Sequence, residues 1–245
     1  RALALSIRYW HPDAKICLVT ELNGDYGDMF DIVKYLPQGR KPGYANDWQV
    51  FHASPFRQTI KLEADMVLTG PIDHWWTMFE HKDVVVSTGC RNFYNQVSTN
   101  RSYRRAFDQN NLPDVYNAIT YWRYSQLASQ FFDTVRSVFD NWAAYRECLR
   151  AVDTEEADTD IAYAIAAVIL GVEKVTLPDS LQMTHMKAQH NYCSSEPWTK
   201  QLVWELDQGN IRINTIAQQY PLHYHVKTFA PELEKHYGQL LASRK

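Results

Sequence analysis

The sequence has little of several features that would define its class at once. It contains four cysteines, far apart and with no CxxC pair, so neither a structural zinc site nor a disulfide framework is expected. A reducing compartment such as the cytoplasm is the expected location. No run of 18 apolar residues is present and no signal peptide is recognisable, so no membrane span is expected. The formal net charge of −3 is too small to indicate a partner by itself.

Several common motifs are also missing. The sequence has no internal repeat, no GxGxxG, no Walker loop and no GxSxG around its serines, which weakens dinucleotide, P-loop and hydrolase interpretations. What remains is an ordinary globular composition, with 45% hydrophobic and 22% charged residues. A length of 245 residues fits one large domain or two small ones.

Two carboxylates follow a short β-rich run at residues 59–62. Because alternate residues of a strand point to the same side, Glu63 and Asp65 at the strand end can converge on one cation. Hard divalent cations take oxygen ligands, commonly one or two protein carboxylates together with substrate phosphates. An acid-x-acid triplet is also common by chance, so two solvated acids at a strand end are the alternative interpretation.

The segment around these acids, SPFRQTIKLEADMVLTGPIDHWW (residues 54–76), resembles the metal-binding segment of nucleotide-sugar glycosyltransferases of the GT-A fold. In that family a strand runs into an Asp-x-Asp motif, and Glu63 stands here in place of the first Asp. The likeness is greatest to the group that contains glycogenin and bacterial galactosyltransferases, and to phage-encoded relatives of it. The resemblance implies Mn²⁺ or Mg²⁺ at Glu63 and Asp65, and a nucleotide-sugar donor, with a UDP-sugar expected.

Two clusters of histidine and lysine come later, THMK at residues 184–187 and HYHVK at residues 223–227. The family resembled uses a late His as a metal ligand and a nearby Lys on the diphosphate. The resemblance therefore implies either His185 or His223 on the metal, and either Lys187 or Lys227 on the diphosphate. The sequence does not choose between the clusters, and a lone His is more often a satisfied structural residue.

Asn117 and Asp160 are the residues expected near the transferred sugar. The segment LPDVYNAITYWRYS (residues 112–125) resembles the family's segment that closes over the donor sugar. DTDIAYAIA (residues 158–166) is similar to a helix start whose Asp faces sugar and acceptor. The alternatives are that Asn117 is a turn residue and that Asp160 only caps its helix.

Residues 90–124 hold five arginines and two aspartates, with aromatic residues between them. Arginine contacts phosphates, and aromatic faces stack on bases or sugars. With the phage likeness, this predicts double-stranded DNA with hydroxymethylated bases as acceptor, contacted by Arg91, Arg101, Arg104 and Arg105. The alternative is that the aromatic residues pack in the core and the arginines are solvated. A saccharide or protein acceptor also stays open.

The order of the elements predicts the fold class. Helical spacing at residues 1–10 and β-rich runs at 15–20 and 83–87 follow the helix-then-strand order of an open α/β sheet. We predict α/β: a single GT-A (Rossmann-like) domain over residues 1–229, with a mostly parallel central sheet, helices on both faces and a small antiparallel C-terminal addition. Residues 230–245 are predicted to form a helical tail. The resemblance implies a further strand before the first helix, outside these 245 residues.

Three local predictions can be checked directly. Residues 125–150 are predicted as one long amphipathic helix, and residues 172–176 as a strand. Residues 201–214 are predicted as a hairpin whose turn spans residues 207–210.

Together these observations favour a metal-dependent glycosyltransferase, a hexosyl- or pentosyltransferase, acting in the host cytoplasm if the chain is phage-encoded. A non-catalytic nucleotide- or nucleic-acid-binding module on the same fold is the alternative, given Glu63 and the missing strand. A metal-dependent nuclease is less favoured, because no further acids cluster around residues 63–65.

Overall fold

The computed structural model describes residues 1–36, 43–98, 104–187 and 196–244. The α-helices in these ranges are α1 (Ala2–Trp10), α2 (Val50–Ala53), α3 (His74–Met78), α4 (Arg105–Asn110), α5 (Gln126–Asp140), α6 (Trp142–Cys148), α7 (Thr159–Leu170), α8 (Val172–Val175), α9 (Trp198–Gln201) and α10 (Ala230–Ala242). Short 3₁₀ helices cover Gly27–Met29, Gly43–Gln49 and Lys227–Phe229. None of the described helices is both long and apolar enough to cross a membrane.

The strands form four small sheets. They are β1 (Cys17–Thr20), β2 (Ile32–Tyr35), β3 (Gln58–Leu62), β4 (Met66–Val67), β5 (Val84–Thr88), β6 (Val115–Arg123), β7 (Thr184–His185), β8 (Trp204–Asp207), β9 (Asn210–Ile213), β10 (Ile216–Ala217) and β11 (Leu222–His223). The sheet orders are β1-β2, β3-β6-β5, β4-β11-β7 and β10-β9-β8.

The predicted α/β class is confirmed, but a mostly parallel central sheet is not what the structure has. β1 and β2 pair in parallel, as do β11 and β7. β6 runs antiparallel to both of its neighbours, β3 and β5, and β4 is antiparallel to β11. The difference arises because β6, almost entirely buried, lies between two strands that run the opposite way.

One core region lies between β6 and the helices α5 and α7. The inner face of α5 buries Phe131, Phe132 and Val135 completely. Phe132 meets Trp122 of β6 edge to face at 5.1 Å, and Phe131 meets Tyr163 of α7 at 5.4 Å. Edge-to-face pairs of buried aromatic rings add to the burial of apolar area. This packing fixes α7, whose N-terminus carries Asp160, against the strand that carries Asn117.

Two local predictions need correction. The predicted helix over residues 125–150 is two helices, because the Asn141 side chain donates to the Ser137 carbonyl at 2.8 Å and ends α5. The predicted strand at 172–176 is the single turn α8, in which Lys174 N–H donates to the Gly171 carbonyl. Only Thr176 forms a parallel bridge, with Val86 of β5.

The predicted hairpin is confirmed. β8 and β9 pair with Asp207 opposite Asn210, so Gln208 and Gly209 form a two-residue turn. Both turn residues have positive φ, 46° and 84°, as the favoured type of hairpin turn requires. A Cβ atom at Gly209 would lie 2.5 Å from the Tyr9 ring, so the position also needs glycine for space.

The predicted C-terminal helix is present as α10, and it packs on the rest of the molecule. Leu233 and Tyr237 are fully buried in a core region shared with α1 and the hairpin. The Tyr237 hydroxyl lies 2.7 Å from the Leu68 carbonyl oxygen and 2.9 Å from that of Gly209. The helix therefore contributes to this core region.

Candidate functional site

Glu63 and Asp65 lie in the tight connection between β3 and β4. The backbone N–H of Glu63 donates to the Ala118 carbonyl, and the N–H of Met66 donates to the Glu63 carbonyl, both at 3.1 Å. On the other side, the Tyr224 N–H donates to the Asp65 carbonyl at 3.1 Å. The acids are therefore held by β6 on one side and by the chain just after β11 on the other.

His223 brings an imidazole to these acids. Its Nε2 lies 3.0 Å from Asp65 Oδ1 and 3.2 Å from Glu63 Oε2. The three residues can each offer one ligand atom, and these atoms lie within 4.8 Å of one another. The carboxylate side chains are 34% exposed and His223 is 6% exposed, so the group opens to solvent on its acidic side. Oxygen and imidazole ligands in this number fit a divalent cation such as Mn²⁺.

His225 is a residue that the sequence analysis did not select. Its Nδ1 lies 3.7 Å from Asp65 Oδ2, and its ring centroid is 3.7 Å from that of His223. It has a φ of 57°, which is uncommon outside glycine and places residues 223 and 225 close together. The signal for His225 was present in the sequence, as a His-x-His pattern that begins at the predicted ligand His223.

The pKa shifts of Asp65, His185 and His225 favour the protonation states that bind metals. Burial acts to raise the pKa of Asp65, but the hydrogen bond with His223 and the charges of both nearby histidines lower it overall. Burial lowers the pKa of His225 to about 3, assisted by the charges of His223 and Lys187. Burial likewise lowers the pKa of His185 well below its usual value. Ionised carboxylate and neutral imidazole are the forms that bind metals.

The two histidine–lysine clusters, left as alternatives by the sequence, meet in the structure. β7 and β11 pair in register, with His185 opposite His223, and the two ring centroids are 5.1 Å apart. His185 is buried behind His223, and the described contacts bring His223 to the carboxylates. Lys187 and Lys227 are both exposed. They lie two residues after His185 and His225, respectively.

Asp160 and Asn117 are joined directly. The Asn117 backbone N–H donates to Asp160 Oδ1 at 2.7 Å, and Arg104 Nη1 donates to Asp160 Oδ2 at 2.8 Å. Asp158 caps α7, accepting from the N–H groups of Asp160 and Ile161. The capping interpretation of Asp160 therefore fails, because Asp158 has that role. The turn interpretation of Asn117 fails too, because Asn117 lies inside β6.

Lys61 and Asp47 connect this pair to the acids. Lys61 Nζ donates to the Asn117 carbonyl at 3.0 Å and lies 3.2 Å from Asp47 Oδ1 and 3.8 Å from Glu63 Oε1. Asp47 Oδ2 also accepts from Asn117 Nδ2 at 3.1 Å and from the Tyr163 hydroxyl at 2.6 Å. Sequence reasoning missed both residues. Lys61 lies in β3, two residues before Glu63 in the sequence, whereas Asp47 carries no local signal.

A cleft of about 750 Å³ reaches Glu63, one of the two acids of the site. Its lining includes Asp47, Lys61 and Glu63, together with residues of α1, β1 and β3. This volume is within the range of small-molecule sites in proteins.

The arginines predicted to contact DNA have different environments. Arg104 is 2% exposed, is bonded to Asp114 and Asp160, and lies 4.0 Å over the Tyr116 ring. It cannot reach DNA phosphates, and that prediction is corrected. Arg105 is exposed, and Arg91 is partly buried, with its Nη1 donating to the Asn95 carbonyl. Arg101 lies outside the described residues.

Comparisons with known proteins add no relative to this description. No family model matches the chain, and neither the curated proteins nor the solved structures include a match.

Proposed function

We propose that the chain is a metal-dependent glycosyltransferase that uses a nucleotide-sugar donor, in agreement with the resemblance of residues 54–76. The observation that carries the proposal is the meeting of Glu63, Asp65 and His223, beside a polar network that contains Asp160. Asp65 and His223, 158 residues apart in sequence, come within 3.0 Å of each other.

Glu63, Asp65 and His223 are the residues that would hold the cation. A bound divalent cation would stabilise the negative charge that develops on the diphosphate leaving group. Because imidazole suits transition metals better than Mg²⁺, the ligand set favours Mn²⁺. The exposed ammonium groups of Lys187 and Lys227 would bind the diphosphate oxygens.

The network behind the acids would orient the sugar. The Arg104 guanidinium and the backbone N–H of Asn117 each donate to one oxygen of Asp160, which limits the motion of the carboxylate. Lys61 is held by Asp47 and the Asn117 carbonyl, close to Glu63. Such fixed donors and acceptors can position sugar hydroxyls for transfer.

The finer fold assignment stays part of this proposal. β3 and β5 run in the same direction with β6 opposed between them, and Thr176 adds a parallel bridge to β5. This arrangement is compatible with a GT-A-like domain that contains one reversed strand.

For the acceptor we keep hydroxymethylated DNA as a proposal, with a saccharide or protein as the alternative. The burial of Arg104 removes one of the residues that favoured DNA. The two classes differ in salt dependence, because phosphate contacts release counterions and weaken steeply as salt rises. Host cytoplasm stays the proposed location if the chain is phage-encoded.

The first test is thermal unfolding with Mn²⁺ or Mg²⁺ and a panel of nucleoside diphosphates. A ligand that binds only the folded state stabilises it, by about 2.7 kcal/mol at a hundred times its Kd. We expect UDP to raise Tm in the presence of metal, with Mn²⁺ more effective than Mg²⁺. The nucleotide that responds then defines the donors for turnover assays.

Asp65→Asn is the test variant, because it keeps the shape but loses the ligand charge. We expect it to abolish both the metal-dependent shift and turnover, while Tm without ligand changes little. Asp179→Asn, at an exposed position whose left-handed backbone tolerates asparagine, is the matched control. Equal metal-dependent shifts in wild type and Asp65→Asn would refute the metal assignment. Nucleotide binding without turnover on any acceptor would support the non-catalytic module instead.

A further inference from the structure

Three imidazoles lie together on the inner side of the acidic pair. The ring centroids of His185 and His225 are 4.5 Å apart, those of His223 and His225 are 3.7 Å apart, and those of His185 and His223 are 5.1 Å apart. One nitrogen from each ring lies within 4.8 Å of the others. We refer to these three residues as the imidazole triad.

The backbone imposes this convergence. β7 and β11 are parallel neighbours, and their register places His185 directly beside His223. The Met186 N–H donates to the His223 carbonyl at 3.1 Å and continues the pairing. The positive φ of His225 then returns a third ring to the same place. Two members of the triad, His185 and His223, thus lie on paired strands, and His225 follows two residues after the second of them.

Two triad nitrogens are buried with no hydrogen-bond partner in the described part of the chain. These atoms are Nδ1 of His223 and Nε2 of His225. A buried polar atom without a partner costs about 1–3 kcal/mol, and such atoms in a native protein call for an explanation such as an ion. The side chain of His223 is 6% exposed and that of His225 is 15% exposed.

The ligand chemistry of the triad differs from that of the acidic group. Glu63 and Asp65 supply oxygen atoms, which suit Mg²⁺ and Mn²⁺. The triad supplies only imidazole nitrogens, and three protein nitrogens with one open position is a known ligand set for Zn²⁺. The two groups share His223, whose Nε2 faces the carboxylates.

We propose that His185, His223 and His225 form a second coordination site, selective for a nitrogen-preferring ion of the Zn²⁺ class and adjoining the carboxylate site at His223. This site does not depend on the glycosyltransferase assignment, because it requires no nucleotide or sugar. The described contacts do not bring His185 to Glu63 or Asp65. In this proposal His185 is a ligand of the triad site alone.

The test is calorimetric titration of chelator-treated protein with Zn²⁺ and, separately, with Mn²⁺. His185→Phe and His225→Phe keep an aromatic ring but remove the nitrogens, and Asp65→Asn disables the acidic group. We expect each Phe variant to weaken Zn²⁺ binding by about tenfold or more, and to leave Mn²⁺ binding within a few-fold. Asp65→Asn should show the reverse pattern. His81→Phe, on an exposed side chain, is the matched control.

The reciprocal pattern distinguishes this proposal from the proposed function. Zn²⁺ binding that is unchanged in both Phe variants would overturn the triad site, and so would Zn²⁺ binding that depends on Asp65 as strongly as Mn²⁺ binding does. Circular dichroism checks that each variant is folded. If His185→Phe fails to fold, His225→Phe, at the more exposed of the two positions, decides the question alone.

Discussion

The Asp160 carboxylate accepts from the Arg104 guanidinium on one oxygen and from the backbone N–H of Asn117 on the other. Burial raises the pKa of this carboxyl to about 6, and the negative charges of Asp158 and Glu63 add to the effect. The charge of Arg104 and the Asn117 N–H act in the opposite direction. An aspartate with such a pKa changes its charge slightly below neutral pH, so the stability of the fold depends on pH there.

The sign of the effect on stability follows from proton counting. In the unfolded chain an aspartate titrates near pH 3.9, so between about pH 4 and pH 6 the native state binds more protons than the unfolded state. The free energy of unfolding therefore falls as pH rises through this window, by at most about 1.4 kcal/mol per pH unit from this group, and levels off above it.

Asp160→Asn is expected to remove this contribution to the pH dependence. Urea unfolding across the window measures it, as the change in unfolding free energy with pH. Asp114→Asn, which removes the other carboxylate bound to Arg104, is the control and should retain the slope. A slope that is equal in wild type and Asp160→Asn would contradict a raised pKa at this position.

Single residues differ in how far the sequence could assign them. Glu63 and Asp65 were predicted because local alternation and a family-like segment both selected them, and His223 was predicted as one of two alternatives; the structure brings the three side chains together. Arg104 was misassigned because charge in a sequence does not reveal burial. Its guanidinium binds Asp160, which is 56 residues away in sequence, and no local pattern encodes that pairing.

At the scale of elements, the N-terminus of α7 has both a structural and a positioning role. Asp158 caps the helix, accepting from two backbone N–H groups at 2.8 and 3.4 Å. One of these groups is the N–H of Asp160 itself, so the cap also fixes the residue that meets Arg104. The N-terminus of α7 therefore contains both the helix cap, Asp158, and the carboxylate that binds Arg104, Asp160.

We expect Asp158→Ala to lower the free energy of unfolding by about 1 kcal/mol, the usual cost of losing such a cap. Asp158→Ser should recover most of the loss, because serine also accepts from N–H groups at this position. Asp153→Ala, an exposed substitution nearby, should change stability by less than about 0.5 kcal/mol. Chemical unfolding at neutral pH measures all three, and a loss that is equal at Asp158 and Asp153 would rule out the capping role.

The elements that the sequence predicted well have strong local signals. The hairpin at residues 204–213 has turn residues suited to positive φ, and α10 has regular helical spacing. The failures have local causes as well. Asn141 interrupts an amphipathic pattern that runs on through it, and α8 is a single turn whose composition also suits a strand. Periodicity alone does not resolve elements this short.

For the whole molecule, the strand directions could not be read from the sequence. Helix-then-strand order favours a parallel sheet, yet β6 lies antiparallel between β3 and β5. The pairing of β4 shows why. This two-residue strand pairs with β11, which lies more than 150 residues later in the chain, and no local pattern predicts such a partner. Such long-range pairs depend on the overall packing of the core, and the site depends on them because they bring His223 to Asp65.

The same long-range packing ties α10 to the rest of the molecule, so we expect it to unfold with the rest. Residues 230–245 were predicted as a tail, but Leu233 is fully buried, and the Tyr237 hydroxyl contacts two carbonyls, one beside the β4 strand and one in the hairpin turn. Arg244 Nη1 also donates to the Tyr9 carbonyl of α1 at 2.7 Å. Loss of packing in this helix should therefore destabilise the entire fold.

We expect Leu233→Ala to lower the free energy of unfolding by about 2–5 kcal/mol, as for other fully buried leucines. Gln239→Ala, at an exposed position of the same helix, should stay within about 0.5 kcal/mol of wild type. The measurement is urea unfolding followed by both far-ultraviolet circular dichroism and tryptophan fluorescence. If α10 belongs to the main unit, both signals shift together to lower urea in Leu233→Ala. A separate early transition with an unchanged main midpoint would instead show that α10 unfolds as an independent tail.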